Sequence, residues 1–326
     1  MAELKVFVTR VIPEAGLERI RAVSNAEVWE SEAPPPYEVL MEKAVGLDGL
    51  VCLLTDPIDG RLMDAAGGSL RVISQMAVGF DNIDVAAATL RGIPVGNTPG
   101  VLTDTTADFA FTLLMAAARR IAEAERYVKD GKWVTWGPTL LMGQDIHSAT
   151  LGLVGLGRIG RGMARRASGF GMRVVYSDPL VDEAEAEELG AELRELDELL
   201  AESDFVSLHV PLTPETTHLM GDREFQRMKP SAILINTARG PIVDPGALYR
   251  ALKEGEIAYA ALDVTEPEPI PIDDPLLLLD NCLIVPHIAS SSLATRSRMA
   301  TMAADNLLAG LNGERLPNCV NPEVYG

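Results

Sequence analysis

A chain of 326 residues exceeds what one hydrophobic core usually fills, so its length predicts two domains. Its formal net charge of -19 at pH 7 would repel polyphosphates and anionic lipid headgroups, which argues against nucleic-acid binding and against binding to a membrane surface. No window approaches the roughly 18 consecutive apolar residues of a membrane span, and the N-terminal residues lack the pattern of a secretory signal.

The first hundred residues alternate short apolar runs with amphipathic stretches. The apolar runs predict strands, and the stretch 14–23 predicts a helix. The proline-rich segment 33–38 reads as a turn, because patterned sequence resumes at once on both sides. The alternation predicts an α/β fold with a parallel sheet. The predicted strands are 6–9, 50–54, 72–76 and 94–96.

The segment 103–128 predicts one unusually long helix. It begins at the capping candidates Thr103 and Asp104 and stops at Asp130–Gly131. Its apolar stripe is broader than a one-sided amphipathic helix needs. Two interpretations stay open: the helix buries a second face between domains or subunits, or it is fully buried within one core.

A second α/β series occupies the rest of the chain. Helices are predicted at 159–170 and 295–311, and the acidic stretch 183–202 has the periodicity of a helix with solvated faces. The sequence thus predicts a second parallel sheet. Its predicted strands are 150–156, 173–177, 205–210, 232–236, 258–263 and 283–285.

A glycine fingerprint follows the first strand of this second series. Gly155, Gly157 and Gly160 form G-x-G-x-x-G between that strand and the next helix, where they would supply a tight turn, close approach to a pyrophosphate and helix-on-strand packing. Asp178 follows eighteen residues later, at the end of the next strand, where a carboxylate binds ribose hydroxyls and repels a 2′-phosphate. The pattern therefore predicts NAD in preference to NADP; the alternative is a glycine turn with an unrelated acidic residue.

Four later segments each follow a predicted strand of the same sheet: HVPLTPETTH, NTARG, DVTEPEP and PHIASSS. The carboxyl ends of strands in an open α/β sheet converge on the cofactor crevice, so these segments can meet in space. They carry Arg239, His287 and two glutamates, Glu266 and Glu268. Taken alone, the arginine is explained equally well as a partner in a surface ion pair, and the histidine equally well as a hydrogen-bonded structural residue.

Together these residue types suit hydride transfer to a 2-oxo acid. A planar guanidinium can hold carboxylate and carbonyl oxygens together, a histidine can protonate the developing alkoxide, and a neighbouring carboxylate favours the imidazolium form. The remaining histidines lack metal-ligand spacing, and Cys52, Cys282 and Cys319 lie far apart without a CxxC pair. We therefore expect no metal and no disulfide framework, and a reducing cytoplasm as the compartment.

With these motifs in this order, nearly the whole chain resembles the D-isomer-specific 2-hydroxyacid dehydrogenases. The match runs through VGFDNID (78–84), LTDTTADFAFTLL, GLGRIG, SDFVSLHVPLTPET, NTARG, DVTEPEP and PHIAS. The resemblance implies two doubly wound parallel-sheet domains, Rossmann-like and flavodoxin-like, with the active site in the cleft between them. It implies a substrate-binding domain from 1–100 plus 290–326, and a NAD-binding domain, 101–289, whose long helix lies at the domain and dimer interface.

The resemblance also implies a role for individual residues. His287 matches the acid/base, Arg239 the substrate-binding arginine, and Glu268, five residues after Asp263, the glutamate partner of the histidine. The amides of Val78 and Gly79 would hold the substrate carboxylate. Ser290 and Trp136 complete the expected substrate site, together with Arg239 and His287. The expected cofactor site comprises Thr106, Gly155, Gly157, Arg158, Ile159, Gly160, Asp178, Val210, Pro211, Thr216, Thr237, Ala238, Asp263, His287 and Ala289.

Within the family, GKWVTWGP around Trp136 and the DVTEPEP region most resemble the glyoxylate reductase/hydroxypyruvate reductase branch. In that branch the matching tryptophan reaches across a homodimer. Relatives that favour NADP carry arginine near the Asp178 position, so we expect NADH here, and Ala289 replaces a usual glycine. The expected reaction is reduction of glyoxylate or hydroxypyruvate to glycolate or D-glycerate; the alternatives are another D-2-hydroxyacid such as 3-phosphoglycerate, and a non-enzymatic NAD-sensing scaffold similar to the corepressor branch.

Overall fold

The computed structural model describes residues 4–326, which fold into two compact units. The first unit consists of the residues up to Leu102 together with Ser291–Gly326, and the second is Thr103–Ser290. Each unit is built on one parallel sheet, of five strands in the first and seven in the second. Within the described residues, none of the helices combines the length and the apolar character that a bilayer crossing requires.

The sheet of the first unit has the strand order β2-β1-β3-β4-β5, with every pair parallel. Buried strands such as β3 and β4 have no exposed side chain, as expected where helices cover both faces of a parallel sheet. The strands are β1 (Lys5–Val8), β2 (Asn25–Val28), β3 (Gly49–Cys52), β4 (Val72–Gln75) and β5 (Val95–Gly96). The helices between them are α1 (Glu14–Arg21), α2 (Tyr37–Ala44), α3 (Gly60–Ala65) and α4 (Val85–Leu90).

The C-terminal helix of the chain, here α12 (Leu293–Leu311), completes the first unit. Its N-cap is Ser292, whose hydroxyl accepts a hydrogen bond from the Thr295 N–H. The helix packs against α1, β3 and β4. Gly16 permits this close approach, because a Cβ at that position would lie 2.6 Å from the carbonyl oxygen of Ala300.

The second unit has the strand order β12-β11-β10-β9-β6-β7-β8, again parallel throughout. Successive strand residues face opposite helix layers: Ile233 and Ile235 pack with one buried cluster and Leu234 with the other, which explains the continuous apolar runs. The strands are β6 (Thr150–Val154), β7 (Arg173–Ser177), β8 (Ala191–Leu193), β9 (Phe205–Leu208), β10 (Ile233–Asn236), β11 (Tyr259–Leu262) and β12 (Cys282–Ile284). The helices are α5 (Thr103–Ala118), α6 (Ile121–Lys129), α7 (Arg158–Ser168), α8 (Glu183–Glu187), α9 (Leu196–Glu202), α10 (Asp222–Arg227) and α11 (Pro245–Glu254).

The single long helix predicted over 103–128 is wrong, because the segment forms two helices, α5 and α6. Arg120 lies between them with φ +53°, in the left-handed region that a continuous right-handed helix excludes. Its guanidinium pairs with Glu123 in the first turn of α6, with an Nε–Oε2 distance of 2.8 Å. Apolar residues continue on both sides of the break, so periodicity alone did not reveal it.

The acidic stretch 183–202 also differs from the continuous helix that its periodicity predicts. It contains α8, the strand β8 and α9. Only Ala191 of β8 is buried, because this strand lies at the edge of the sheet and pairs on one side with β7 alone. The edge strand β2 likewise has a polar sequence, NAEV, and was not predicted.

Candidate active site

The candidate site of the second unit lies at the carboxyl ends of its parallel strands. Chain order in this sheet runs outward from β6 through β7 to β8 and then returns to β9, which pairs with the other side of β6. Such a reversal of strand order is the place where open α/β sheets bind their ligands. The glycine fingerprint follows β6, and the other predicted segments follow β9, β10, β11 and β12.

The fingerprint glycines each meet a different spatial demand. Gly155 has φ +93°, and a Cβ there would lie 2.8 Å from the carbonyl carbon of His209. At Gly160, in α7, a Cβ would lie 2.3 Å from the carbonyl oxygen of Gly155, so only glycine allows α7 to pack this closely against the loop. By contrast, a Cβ at Gly157 would have no protein atom within 4 Å. Packing therefore requires glycine at two of the positions, and open space for a ligand lies at the third.

The start of α7 and the side chain of Asp178 border this open space. The helix begins at Arg158 and Ile159, directly after Gly157 as its N-cap, so its first N–H groups are available to phosphate oxygens. The Asp178 carboxylate is partly buried and accepts hydrogen bonds from the Leu156 N–H at 2.9 Å and the Leu180 N–H at 3.0 Å. An acidic group held against the glycine loop suits the ribose end of a dinucleotide.

Replacing Gly157 by alanine should separate cofactor binding from folding. The added methyl group would meet no protein atom, so we expect an unchanged melting temperature, but the NADH dissociation constant should rise roughly tenfold or more because the backbone can no longer approach the pyrophosphate. Fluorescence titration and thermal denaturation measure both quantities. Gly160→Ala is the contrasting control, and its melting temperature should fall. Unchanged NADH affinity in Gly157→Ala would place the pyrophosphate elsewhere.

Further residues of the expected cofactor site line the same strand ends. Thr237 follows β10, and its hydroxyl is buried without a hydrogen-bond partner among the described residues, as expected of a group that bonds to a ligand.

The Ala238 N–H donates to the Asn236 side chain, and the Thr216 hydroxyl donates to the Pro211 carbonyl at 2.6 Å. Val210 and Pro211 follow β9, and Thr106 is buried in α5. These residues fit a dinucleotide.

His209 is a residue of this region that the sequence did not single out. Its ring Nε2 lies 2.9 Å from the Ser207 hydroxyl, and its backbone packs against Gly155. Burial lowers the pKa of His209 to about 4, so its ring is neutral at neutral pH. The motif HVP marks the position but gives no sign that this histidine supports the glycine loop.

His287 and Glu268 form a close pair. The Nδ1 atom of His287 lies 2.6 Å from Oε1 of Glu268, and both side chains are partly exposed, at 25% and 36%. The other glutamate of the segment, Glu266, contacts a different histidine instead, with its Oε2 2.7 Å from Nε2 of His218. The structure thus places Glu268, and not Glu266, beside His287. Glu268 is also the glutamate that the family resemblance selects.

Asp263 holds the loop that carries His287. Its two carboxylate oxygens accept hydrogen bonds from the Ile288 N–H at 2.7 Å and the Ala289 N–H at 2.8 Å, and its carbonyl accepts from the His287 N–H at 2.9 Å. Asp263 is 1% exposed, and its burial raises its pKa against the opposing effect of those two N–H donors. His287 has φ +52°, so this loop holds a backbone conformation that histidine rarely adopts.

Arg239 lies in the neighbouring segment, after β10. Its Nη1 donates to the Ala238 carbonyl at 2.8 Å. The next residue, Gly240, packs against the DVTEPEP segment so closely that a Cβ would lie 1.9 Å from the Thr265 carbonyl oxygen. The segments carrying Arg239 and Glu268 are therefore in direct backbone contact.

The remaining predicted substrate residues are Ser290, Trp136, Val78 and Gly79. Ser290 is partly buried and ends the second unit. Trp136 is 79% exposed in the segment after α6, near the similarly exposed Trp133. Val78 and Gly79 belong to the first unit, in the loop after β4. Among residues 4–326, no group of three or more His, Cys, Asp or Glu side chains is arranged to hold a metal ion.

Comparison with known proteins gives a consistent result. Residues 111–289 match the family model described as "D-isomer specific 2-hydroxyacid dehydrogenase, NAD binding domain". The chain is 59% identical over 321 residues to a glyoxylate reductase of Korarchaeum cryptofilum, covering 98% of this chain and 96% of that protein.

Solved structures agree with this result. The TT0316 protein of Thermus thermophilus superposes with a TM-score of 0.91 at 46% identity, covering 97% of this chain and 100% of that one. An NADPH-dependent glyoxylate/hydroxypyruvate reductase of Sinorhizobium meliloti, in complex with NADP and malonate, superposes with a TM-score of 0.87 at 32% identity, covering 99% and 98%. The fold of two parallel-sheet units and the resemblance to glyoxylate reductases are thereby confirmed. The chain therefore belongs to the D-isomer specific 2-hydroxyacid dehydrogenase family and is an oxidoreductase of that family.

Proposed function

We propose that this enzyme reduces glyoxylate or hydroxypyruvate with NADH, giving glycolate or D-glycerate. The observation that carries the proposal is the 2.6 Å contact between His287 and Glu268 at the same sheet edge as the glycine fingerprint. High identity over the full length to a protein named glyoxylate reductase supports the choice of substrate. When bound, NADH supplies the hydride that C2 of the oxo acid receives.

His287 is the proton donor in this proposal. Its Nδ1 faces Glu268, so Nε2 is the ring nitrogen that remains to face the carbonyl oxygen of the substrate. The Glu268 carboxylate fixes the orientation of the ring. Reduction then consumes one hydride and one proton, and His287 delivers the proton to the developing alkoxide.

Arg239 is the substrate-binding cation in this proposal. A guanidinium can donate to carboxylate and carbonyl oxygens at once, which suits the two neighbouring oxygens of a 2-oxo acid. The close packing of Gly240 on Thr265 supports a fixed position of Arg239 relative to the glutamate segment. Ser290, together with the Val78 and Gly79 amides, would complete the binding of the substrate, as the resemblance implies.

The preference for NADH follows from Asp178. Two backbone N–H groups hold its carboxylate at the glycine loop, and the remaining lone pairs can accept the ribose hydroxyls. The negative charge would repel a 2′-phosphate. The Sinorhizobium meliloti relative is NADPH-dependent, so the proposed preference for NADH rests on local residues of this chain such as Asp178.

The roles of the two parts of the chain and the oligomeric state are also part of the proposal. Residues 101–289 bind NAD, and 1–100 with 290–326 bind the substrate. The enzyme is a cytoplasmic homodimer, in which the interface includes α5 and α6, the two helices of segment 103–128, and the exposed Trp136 reaches the partner. Sedimentation velocity of the purified protein should show a dimer, and a monomer at micromolar concentration would contradict this part.

A panel of 2-oxo acids tests the proposed function. Glyoxylate, hydroxypyruvate, pyruvate and the oxidised form of 3-phosphoglycerate would each be assayed with NADH and with NADPH. We expect the highest kcat/KM for glyoxylate or hydroxypyruvate with NADH. A highest value for the phosphorylated acid would assign the enzyme to the phosphoglycerate reaction instead. Oxidation of neither cofactor by any acid would favour the NAD-sensing scaffold.

A further inference from the structure

The loop after β4, residues 77–80, has an unusual pattern of backbone hydrogen bonds. The carbonyl groups of its first three residues are all engaged: the Ala77 carbonyl accepts from the Thr98 N–H at 2.8 Å, the Val78 carbonyl from Nδ2 of Asn97 at 2.8 Å, and the Gly79 carbonyl from Nε2 of Gln75 at 3.2 Å. Within residues 4–326, the N–H groups of Val78, Gly79 and Phe80 donate to no protein acceptor.

These two facts are linked by the geometry of the peptide bond. In a planar trans peptide the C=O group of one residue and the N–H group of the next point in opposite directions. Holding the carbonyls of Ala77, Val78 and Gly79 therefore directs the N–H groups of Val78, Gly79 and Phe80 away from those anchors. Consecutive N–H groups without acceptors form a site suited to an anion.

The orientation of the Gln75 amide follows from its neighbours. The Asn82 Nδ2 donates to the carbonyls of Leu53 and Asp56, so its Oδ1 must face Gln75 as an acceptor. Gln75 thus presents its NH₂ group, which donates to Asn82 at 2.7 Å and to Gly79. Gln75 is fully buried, and an unpaired amide there would be costly.

The other end of the Gln75 amide is also engaged. Its Oε1 lies 3.0 Å from the sulfur of Cys52 on the neighbouring strand β3. Burial raises the pKa of the Cys52 thiol well above its usual value, so the thiol stays protonated and can donate. Every polar atom of the Gln75 side chain therefore has a partner, which leaves the side chain little freedom to release the Gly79 carbonyl.

We propose that Gln75 and Asn97 are positioning residues, which orient the N–H groups of Phe80 and Gly79, respectively, toward the carboxylate of the 2-oxo acid. The proposal rests on the proposed function, in which this loop binds the carboxylate, and it extends the donor set to Phe80. Neither residue contacts the reacting atoms in this role. Their loss should weaken binding of any small carboxylate much more than it slows the chemical step.

The test compares Gln75→Met and Asn97→Leu with Ser74→Ala. Methionine keeps the length of glutamine without its hydrogen bonds, and Asn97 is only partly buried, so its variant provides a second measurement if the first fails to fold. Ser74 is the matched control, because it is a fully buried neighbour on β4 whose hydroxyl bonds instead to the Ala303 carbonyl. For each folded protein, steady-state kinetics give kcat and KM for glyoxylate, and calorimetry of the NADH complex gives the dissociation constant of oxalate.

We expect Gln75→Met and Asn97→Leu to raise the KM for glyoxylate and the oxalate dissociation constant by about 10-fold to 100-fold, the usual effect of losing a hydrogen bond to a charged group. Their kcat should change less, and NADH affinity should stay unchanged. Ser74→Ala should lower only the melting temperature. Unchanged KM and oxalate affinity in both folded variants would overturn the proposal, as would an equal rise in Ser74→Ala.

Oxalate binding separates this inference from the proposed function, because oxalate has no ketone to reduce. If the parent protein reduces no 2-oxo acid but binds oxalate, and Gln75→Met and Asn97→Leu lose that binding, the positioning role stands and the proposed reaction fails. If the parent reduces glyoxylate and both variants keep its KM, only the positioning role fails. If the parent neither reduces an oxo acid nor binds oxalate, both fail.

Discussion

Replacement of His287 by alanine should lower the turnover number for glyoxylate by about 10²–10⁴-fold, the usual contribution of a positioned proton donor. The substitution removes the imidazole that contacts Glu268. The hydrogen bonds from the Ile288 and Ala289 N–H groups to the Asp263 carboxylate do not involve the imidazole, so they are retained. NADH affinity should therefore change little. Steady-state kinetics and a fluorescence titration with NADH measure the two quantities independently.

His147 provides the matched control for this variant. Its side chain is 72% exposed and its one ion-pair contact is with the exposed Asp145, at 3.8 Å. His147→Ala removes the same imidazole from the second unit and should leave both turnover and NADH affinity unchanged. Full turnover in a folded His287→Ala protein would remove this histidine from the mechanism.

Replacement of Asp178 by alanine should shift the ratio of kcat/KM with NADH to kcat/KM with NADPH toward NADPH by about a hundredfold. Two effects act in the same direction. NADH loses a charged acceptor for its ribose hydroxyls, and NADPH no longer meets a carboxylate next to its 2′-phosphate. Two backbone N–H groups lose their acceptor, so a lower melting temperature is also expected.

The control for Asp178 is Asp280, which is 83% exposed and lies two residues before β12. Asp280→Ala makes the same change in net charge at the amino end of the sheet, away from the glycine loop. Its cofactor ratio should equal that of the parent. An unchanged ratio in Asp178→Ala would show that another group binds the ribose.

The sequence alone predicted those parts of the molecule whose cause is local. The glycine fingerprint could be recognised because turn, close approach and helix packing each require glycine within six residues. The pairing of His287 with a glutamate could be anticipated because both follow neighbouring strands, β11 and β12, of one parallel sheet. Choosing Glu268 over Glu266 needed the family resemblance, and the structure shows why the choice matters, since Glu266 pairs with His218.

Other features depend on contacts that no local pattern records. The break between α5 and α6 interrupts a sequence that stays helical and apolar on both sides, and the edge strands β2 and β8 bury too little surface to show an apolar run. Likewise, Gln75 on β4 belongs to no recognised motif. Its bonds to Cys52, Gly79 and Asn82 appear only once the chain has folded.

The proposed reaction is the transfer of a hydride from NADH to C2 of a small 2-oxo acid, with His287 as the source of the proton. Its most direct test is the reduction of hydroxypyruvate with NADH that carries deuterium at the transferring position of C4. We expect D-glycerate with one deuterium at C2. Glycerate of the L configuration, a racemic product, or D-glycerate without deuterium at C2 would contradict it.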